Sequence, residues 1–229
     1  MSILIETILG FLLADIVTGG FHWFEDSYLE YCSDIPILNT IAQDNELHHY
    51  FPRSMIAYSD IDNITVSLPI TLGILGLFYL FNKKFFYTYK VFIVSFAFFC
   101  IISNIIHKFS HMRDCEKSSF LLFLQSLGIL SSHNHHKIHH QTIDQKYCVI
   151  SEYNNYILDS IGFWRFIEYV IFGLTGVKPN RKLAYDDYKK IQNYMHENNK
   201  LTCPDIPTLE DVDELKRRLR EFKHCEQKS

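Results

Sequence analysis

The chain of 229 residues has no long basic run, no C-x-x-C pair, no internal repeat and no low-complexity linker. Each absence removes a class of function. With a formal charge of −4 and no basic run, there is no electrostatic footprint for nucleic acid, whose binding rests on neutralising phosphates. The six cysteines, Cys32, Cys100, Cys115, Cys148, Cys203 and Cys225, are widely scattered and read as reduced intracellular thiols that serve packing. The apolar N-terminus has neither a basic leader nor a small-residue cleavage signal, so it does not read as a secretory peptide.

What is present is apolar surface and histidine. The composition is 48% hydrophobic and 15% aromatic, enough to bury a large surface in protein or lipid. A membrane span needs roughly 20 apolar residues. Three stretches qualify: about Ile3 to Phe24, which carries Glu6 and Asp15, then Ile64 to Phe81 and Tyr87 to Ile106, a helical hairpin joined by the loop Asn82-Lys83-Lys84. The run from Ser119 to Leu130 is too short to cross and reads as re-entrant or interfacial. From Tyr147 to Gly176 the pattern suits an amphipathic helix at the membrane surface, with Trp23 and Trp164 as interfacial anchors. The expected class is an all-α membrane protein with about three transmembrane helices and a histidine-rich cap. Its domains are a membrane-embedded unit over 1–187 and a polar helical tail over 188–229. In that tail Thr208-Leu209-Glu210-Asp211 begins a solvated helix whose apolar residues Val212, Leu215, Leu219 and Phe222 recur among charges.

Ten of the twelve histidines precede residue 141. If the three spans cross in turn, all the clustered ones reach one face. His22 and His48-His49 flank the first connection, His107 and His111 close the third span, and His135, His136, His139 and His140 follow the short apolar run. Basic residues near that face (Arg53, Lys108, Arg113, Lys117) outnumber those opposite (Lys83, Lys84, Lys90), which places it in the cytosol.

Residues three and four apart share one helix face, so His107 and His111 both reach one ion, and His135, His136, His139 and His140 form a wall of donors. Nine such imidazoles exceed what one tetrahedral site uses, so two metal ions are expected. A nitrogen-rich site without thiolate favours iron. Zinc would instead favour hydrolysis, with Glu25, Asp26 or Asp144 as base. Asp15, Gly19, His22 and Asp26 share one stripe, which reads as carboxylates orienting the His22 imidazole. Asn104, one turn before His107, reads as a substrate or ligand contact or an inter-helix amide. His133 reads as a spare, and His196 and His224 as surface residues.

These residues carry a resemblance. Ala14-Asp15 with Gly19, His22-Trp23, Asp26, His48-His49 with Pro52, Asn104 with His107-Lys108-Phe109-Ser110-His111, His135-His136-Lys137-Ile138-His139-His140, Tyr147-Cys148 and Asn155 follow in order. Gly162-Phe163-Trp164-Arg165 and Leu174-Thr175-Gly176 with Pro179 complete the series. Over about Ala14 to Asp187 the chain resembles the small lipid desaturases, a family that includes plasmanylethanolamine desaturase and the plastid desaturase acting on phosphatidylglycerol palmitate. The resemblance implies two ferrous ions, dioxygen as co-substrate, electrons from cytochrome b5 and its reductase, and an endoplasmic reticulum membrane. The implied reaction turns the alkyl ether chain of plasmanylethanolamine into the vinyl ether of a plasmalogen. Asp144 and Tyr58 stand where some relatives carry a further histidine or another polar residue, which leaves ligand count and substrate open. The alternatives are a desaturase or hydroxylase of phospholipid acyl chains, and a non-catalytic membrane metal-binding protein.

Overall fold

The computed structural model describes residues 2–180, 207–223 and 225; the boundary at 187/188, His196 and His224 lie outside them. Ten α-helices and no strand occur among the described residues. Three are long and apolar enough to cross a membrane: α1 (Ile3–Tyr28), α3 (Asp60–Phe81) and α5 (Lys90–His111). Twenty-two residues at 1.5 Å rise give about 33 Å, the thickness of a hydrocarbon core. Between them lie α2 (Pro36–Tyr50) and a 3-10 turn over Pro52–Ala57, then α4 (Lys83–Thr88). The loop expected at Asn82-Lys83-Lys84 is therefore helical, because the Asn82 side chain accepts from the Phe85 N–H at 2.9 Å and starts a new turn.

Helix starts follow their caps. Ser59 and Asp62 form a capping box on α3, and Ser118 caps α6 (Ser119–Ser126). With eight residues, α6 does not cross. Ser132 caps α7 (His133–Thr142) by accepting from the His135 N–H, and that helix ends at Ile143 in the left-handed region. The expected amphipathic segment is two helices, α8 (Tyr153–Ser160) and α9 (Phe163–Thr175). Gly162 separates them at φ +64°, a conformation that costs glycine little.

α5 is the centre of the bundle, with α1 on one side and α3 on the other. In lipid, close approach and polar contacts drive helix association more than apolar burial does. Gly10 of α1 meets α5 so closely that a Cβ there would lie 2.7 Å from the Phe92 carbonyl oxygen. Glu6, a charge that weakens the first span as a lipid-facing helix, accepts the Phe92 N–H at 3.2 Å and so caps α5. Asp15, fully buried, accepts from the backbone N–H groups of Ile150 and Ser151, the Ser151 hydroxyl and the Asn154 amide at 2.7–3.2 Å. Both charges are thus satisfied inside the protein, as membrane depth demands.

Two expectations are corrected. The tail helix, α10 (Leu209–Phe222), is not solvated all round: Val212, Leu215 and Leu219 are buried against Tyr31, Leu47, Tyr50 and Phe51. Lys216 pairs with Asp44 and Lys223 with Glu46, both on α2, so the helix clamps the segment that bears His48 and His49. Cys32 and Cys225, read as thiols, form a disulfide. Their separation of 193 residues hid the pairing, which exists only because α10 folds back beside the end of α1.

Candidate metal centre

Four helices deliver donors to one place: α1 gives His22 and Asp26, α2 gives His48 and His49, α5 gives His107 and His111, and α7 gives His136, His139 and His140. They sort into two groups, in each of which the donor atoms lie within 4.8 Å of one another. His48, His107, His111, His136 and His140 form the first; His22, Asp26, His49 and His139 form the second. Helical periodicity does the sorting. Neighbours in sequence point about 100° apart, so His48 and His49 part to different groups, as do His139 and His140. Residues four apart converge, as His107 with His111, His136 with His140, and His22 with Asp26.

The imidazoles meet nitrogen to nitrogen. Nε2 of His107 lies 2.8 Å from Nε2 of His136 and 3.2 Å from that of His111, and the His136–His140 pair closes at 3.0 Å. In the second group Nε2 of His22 and of His139 are 2.9 Å apart, and Asp26 lies 2.9 Å from His49 and 3.2 Å from His22 and His139. The groups adjoin, with the His22 and His107 rings 5.0 Å apart and the His49 and His140 rings 4.5 Å apart. Nε2 of His48 and Oδ2 of Asp26 are buried without a hydrogen-bond partner. Convergent lone pairs with orphaned buried atoms are what two cations would satisfy, so the donor set fits a pair of metal ions. Burial and then the neighbouring imidazoles hold His48, His136 and His140 well below the ordinary histidine range. They are neutral near pH 7, the form that ligates.

Three of the sequence-derived candidates stand elsewhere. His135 faces away from both groups: its Nε2 accepts from the Asn155 amide at 3.1 Å, and its Nδ1 faces Glu152 at 3.5 Å. Burial pushes it down to about 4 against the opposing charge of Glu152. Asp15 braces residues 150–154, directly after which Asn155 reaches His135. Asn104 lines a cavity one turn from His107. Conversely Asp26, expected as an orienting carboxylate, lies among the donors themselves. The His133 Nδ1–H donates to the Ser110 carbonyl at 2.9 Å, outside the groups. Glu152 and Lys146 carried no sequence signal for this site, since their contacts to His135 form only once the chain after α7 folds back on it. Trp23 and Trp164, read as interfacial anchors, are buried against each other and Tyr147.

The cavity, of about 460 Å³, lies between α1 and α3 in front of α5 and ends on His22, His48 and His107. Its walls are apolar at membrane depth (Val17, Phe21, Val66, Ile70, Ile74), and its mouth bears Glu25, Asp44, Tyr58 and Asp62. Phe21, Val66 and Ile70 are exposed, so the slot opens sideways between α1 and α3. It touches histidines of both groups.

Comparison with known proteins places this arrangement among relatives. Residues 11–182 match the model of the lipid desaturase domain. A probable fatty acid desaturase of Acanthamoeba polyphaga mimivirus is 34% identical over 180 residues, 78% of this chain and 86% of that protein. Plasmanylethanolamine desaturase 1 of Mus musculus is 30% identical over 202 residues, covering 83% and 71%. The chloroplastic fatty acid desaturase 4-like 1 of Arabidopsis thaliana is 29% identical, covering 75% of this chain and 57% of its own. No solved structure matches.

Proposed function

The chain belongs to the lipid desaturase domain family, and on that premise we propose that it is a dioxygen-dependent, di-iron desaturase that converts the alkyl ether chain of plasmanylethanolamine into a vinyl ether. Family membership makes it a lipid oxidoreductase; the metal, the ether and the headgroup are the proposal. The observation that carries it is the apolar slot open to the membrane and ending on histidines of both donor groups. The first group would hold one ion by five imidazoles and the second another by three imidazoles and Asp26. When bound, the irons supply the oxidising chemistry, with two electrons taken from the chain and two from cytochrome b5 as dioxygen becomes water.

The rest is the work of this chain's own residues. Val17, Phe21, Val66, Ile70 and Ile74 admit a hydrocarbon tail and exclude water. At the mouth, Asp44 is engaged by the Tyr58 hydroxyl at 2.6 Å and by Lys216, and Asp62 by Ser59, whereas Glu25 has no polar partner among the described residues. No lysine or arginine lines the slot. A lining without lysine or arginine gives an anionic headgroup no ion-pair partner. Basic residues favour a cytosolic histidine face in the endoplasmic reticulum, where electrons from cytochrome b5 are at hand.

The test is expression in cells lacking plasmalogens, with vinyl ether lipids measured by mass spectrometry and His139→Ala as control. Vinyl ethers are expected with the wild type only. The name of the mimiviral relative favours a second reading, desaturation of an ester-linked acyl chain. New acyl double bonds without vinyl ethers would establish that reading in place of the first.

A further inference from the structure

A file of oxidisable rings leads away from the second donor group. Tyr147 packs against His139 with ring centres 5.1 Å apart and against His22 at 6.3 Å. Trp164 follows at 5.1 Å from Tyr147, Trp23 stacks on Trp164 at 5.8 Å, and Tyr28 lies 5.5 Å beyond. Tyr147, Trp164 and Trp23 are buried, and Tyr28 is partly exposed. The first group has no counterpart: among the described residues its imidazoles meet only other imidazoles as ring neighbours. Elsewhere large rings are used differently. The core around Phe96 is built from Phe11, Phe78 and Phe99, which are hard to oxidise.

The file also has a place for a proton. The Trp23 Nε1–H donates to Glu168 at 3.1 Å, and Arg165 holds that buried carboxylate at 2.8 Å. Tyrosine and tryptophan lose an electron readily but do not gain one, so such a file moves electrons only toward a strong oxidant. It does not serve to bring in low-potential electrons.

We propose that Tyr147, Trp164 and Trp23 are an escape route for oxidising equivalents, used when the metal centre has reacted with dioxygen and no lipid chain is in the slot. This rests on reading the site as a dioxygen-using metal centre. An electron leaves the Trp23 indole and passes through Trp164, Tyr147 and His139 to the oxidised centre, while the indole N–H proton moves to Glu168. The neutral indolyl radical left near Tyr28 is quenched by a one-electron reductant from outside, and Glu168 returns the proton. The centre is thereby reduced without oxidising its own imidazoles.

The test uses purified iron-loaded protein, reduced with dithionite and exposed to dioxygen without lipid. Freeze-quenched electron paramagnetic resonance looks for an organic radical, and peptide mass spectrometry maps oxidised residues. The wild type should give a tryptophan or tyrosine radical and oxidation at Trp23 and Trp164. Trp164→Phe should keep its iron and its initial rate with lipid, lose oxidation at Trp23, gain it at His22 and His139, and inactivate several-fold faster in lipid-free aerobic buffer. Dioxygen consumption with no organic radical, and equal histidine oxidation in both proteins, would overturn the route alone. Iron-loaded protein that consumes no dioxygen would overturn both the route and the reading beneath it.

Discussion

The spans α1 and α3 have nearly the same apolar character yet are built in opposite senses. α1 carries Glu6, Asp15 and Asp26 and buries all three, each on a partner that holds another element in place. α3 buries a polar stripe, Asn63, Ser67 and Thr71, whose side chains donate to carbonyls one turn back, and turns Leu72, Leu77, Leu80 and Phe81 outward. Mean hydropathy cannot tell the two apart. The difference is that α1 is a structural post that carries His22 and Asp26 of the donor set and is bound tightly to α5, while α3 is one wall of a slot, free on the side that faces lipid.

Substitutions should separate these roles. The largest effect is expected at Asp26, which touches three imidazoles: Asp26→Ala should cost roughly 10–100-fold or more in activity, with loss of iron from the second group, read by product formation and metal content. Asp15→Ala should act on stability, since it strands buried donors of Ile150, Ser151 and Asn154. A loss of about 3 kcal/mol or more is expected in a denaturation midpoint, with the iron ratio of the folded fraction unchanged.

A glycine pair sharpens the contrast further. A Cβ at Gly10 of α1 would press within 3 Å of α5, whereas at Gly73 of α3 it meets open space. Gly10→Ala should therefore destabilise, while Gly73→Ala should be neutral or stabilise by about 0.5–1 kcal/mol; equal effects would mean that α1 and α3 do not differ as described. The smallest effect is that of pH. His135, held near 4 when folded, binds a proton near 6.5 when unfolded, so the unfolded state gains protons as pH falls through that window. Stability should decline from about pH 6.5 to 4, and His135→Gln should remove one histidine's share of that slope in the metal-free protein, where His48, His136 and His140 keep theirs.

Spans and donor spacing were legible because both are local: apolar length and the return of residues four apart need no tertiary knowledge. So was the short apolar run that does not cross. What was hidden depends on distant contacts. His135 has the same spacing from His139 as true neighbours in the groups, and only the Asn155 and Glu152 contacts turn it away. Asp15 reads as an orienting charge until residues 150–154, some 135 positions on, are folded beside it. The polar sequence of α10 looks solvated because its stripe meets Tyr31 and Leu47 only after the chain returns.

The central claim, that eight imidazoles and Asp26 hold two ions, is tested most directly by counting metal in the purified protein. The account predicts two irons per chain, with His111→Ala losing the ion of the first group and retaining the second. One zinc and no iron per chain would contradict it.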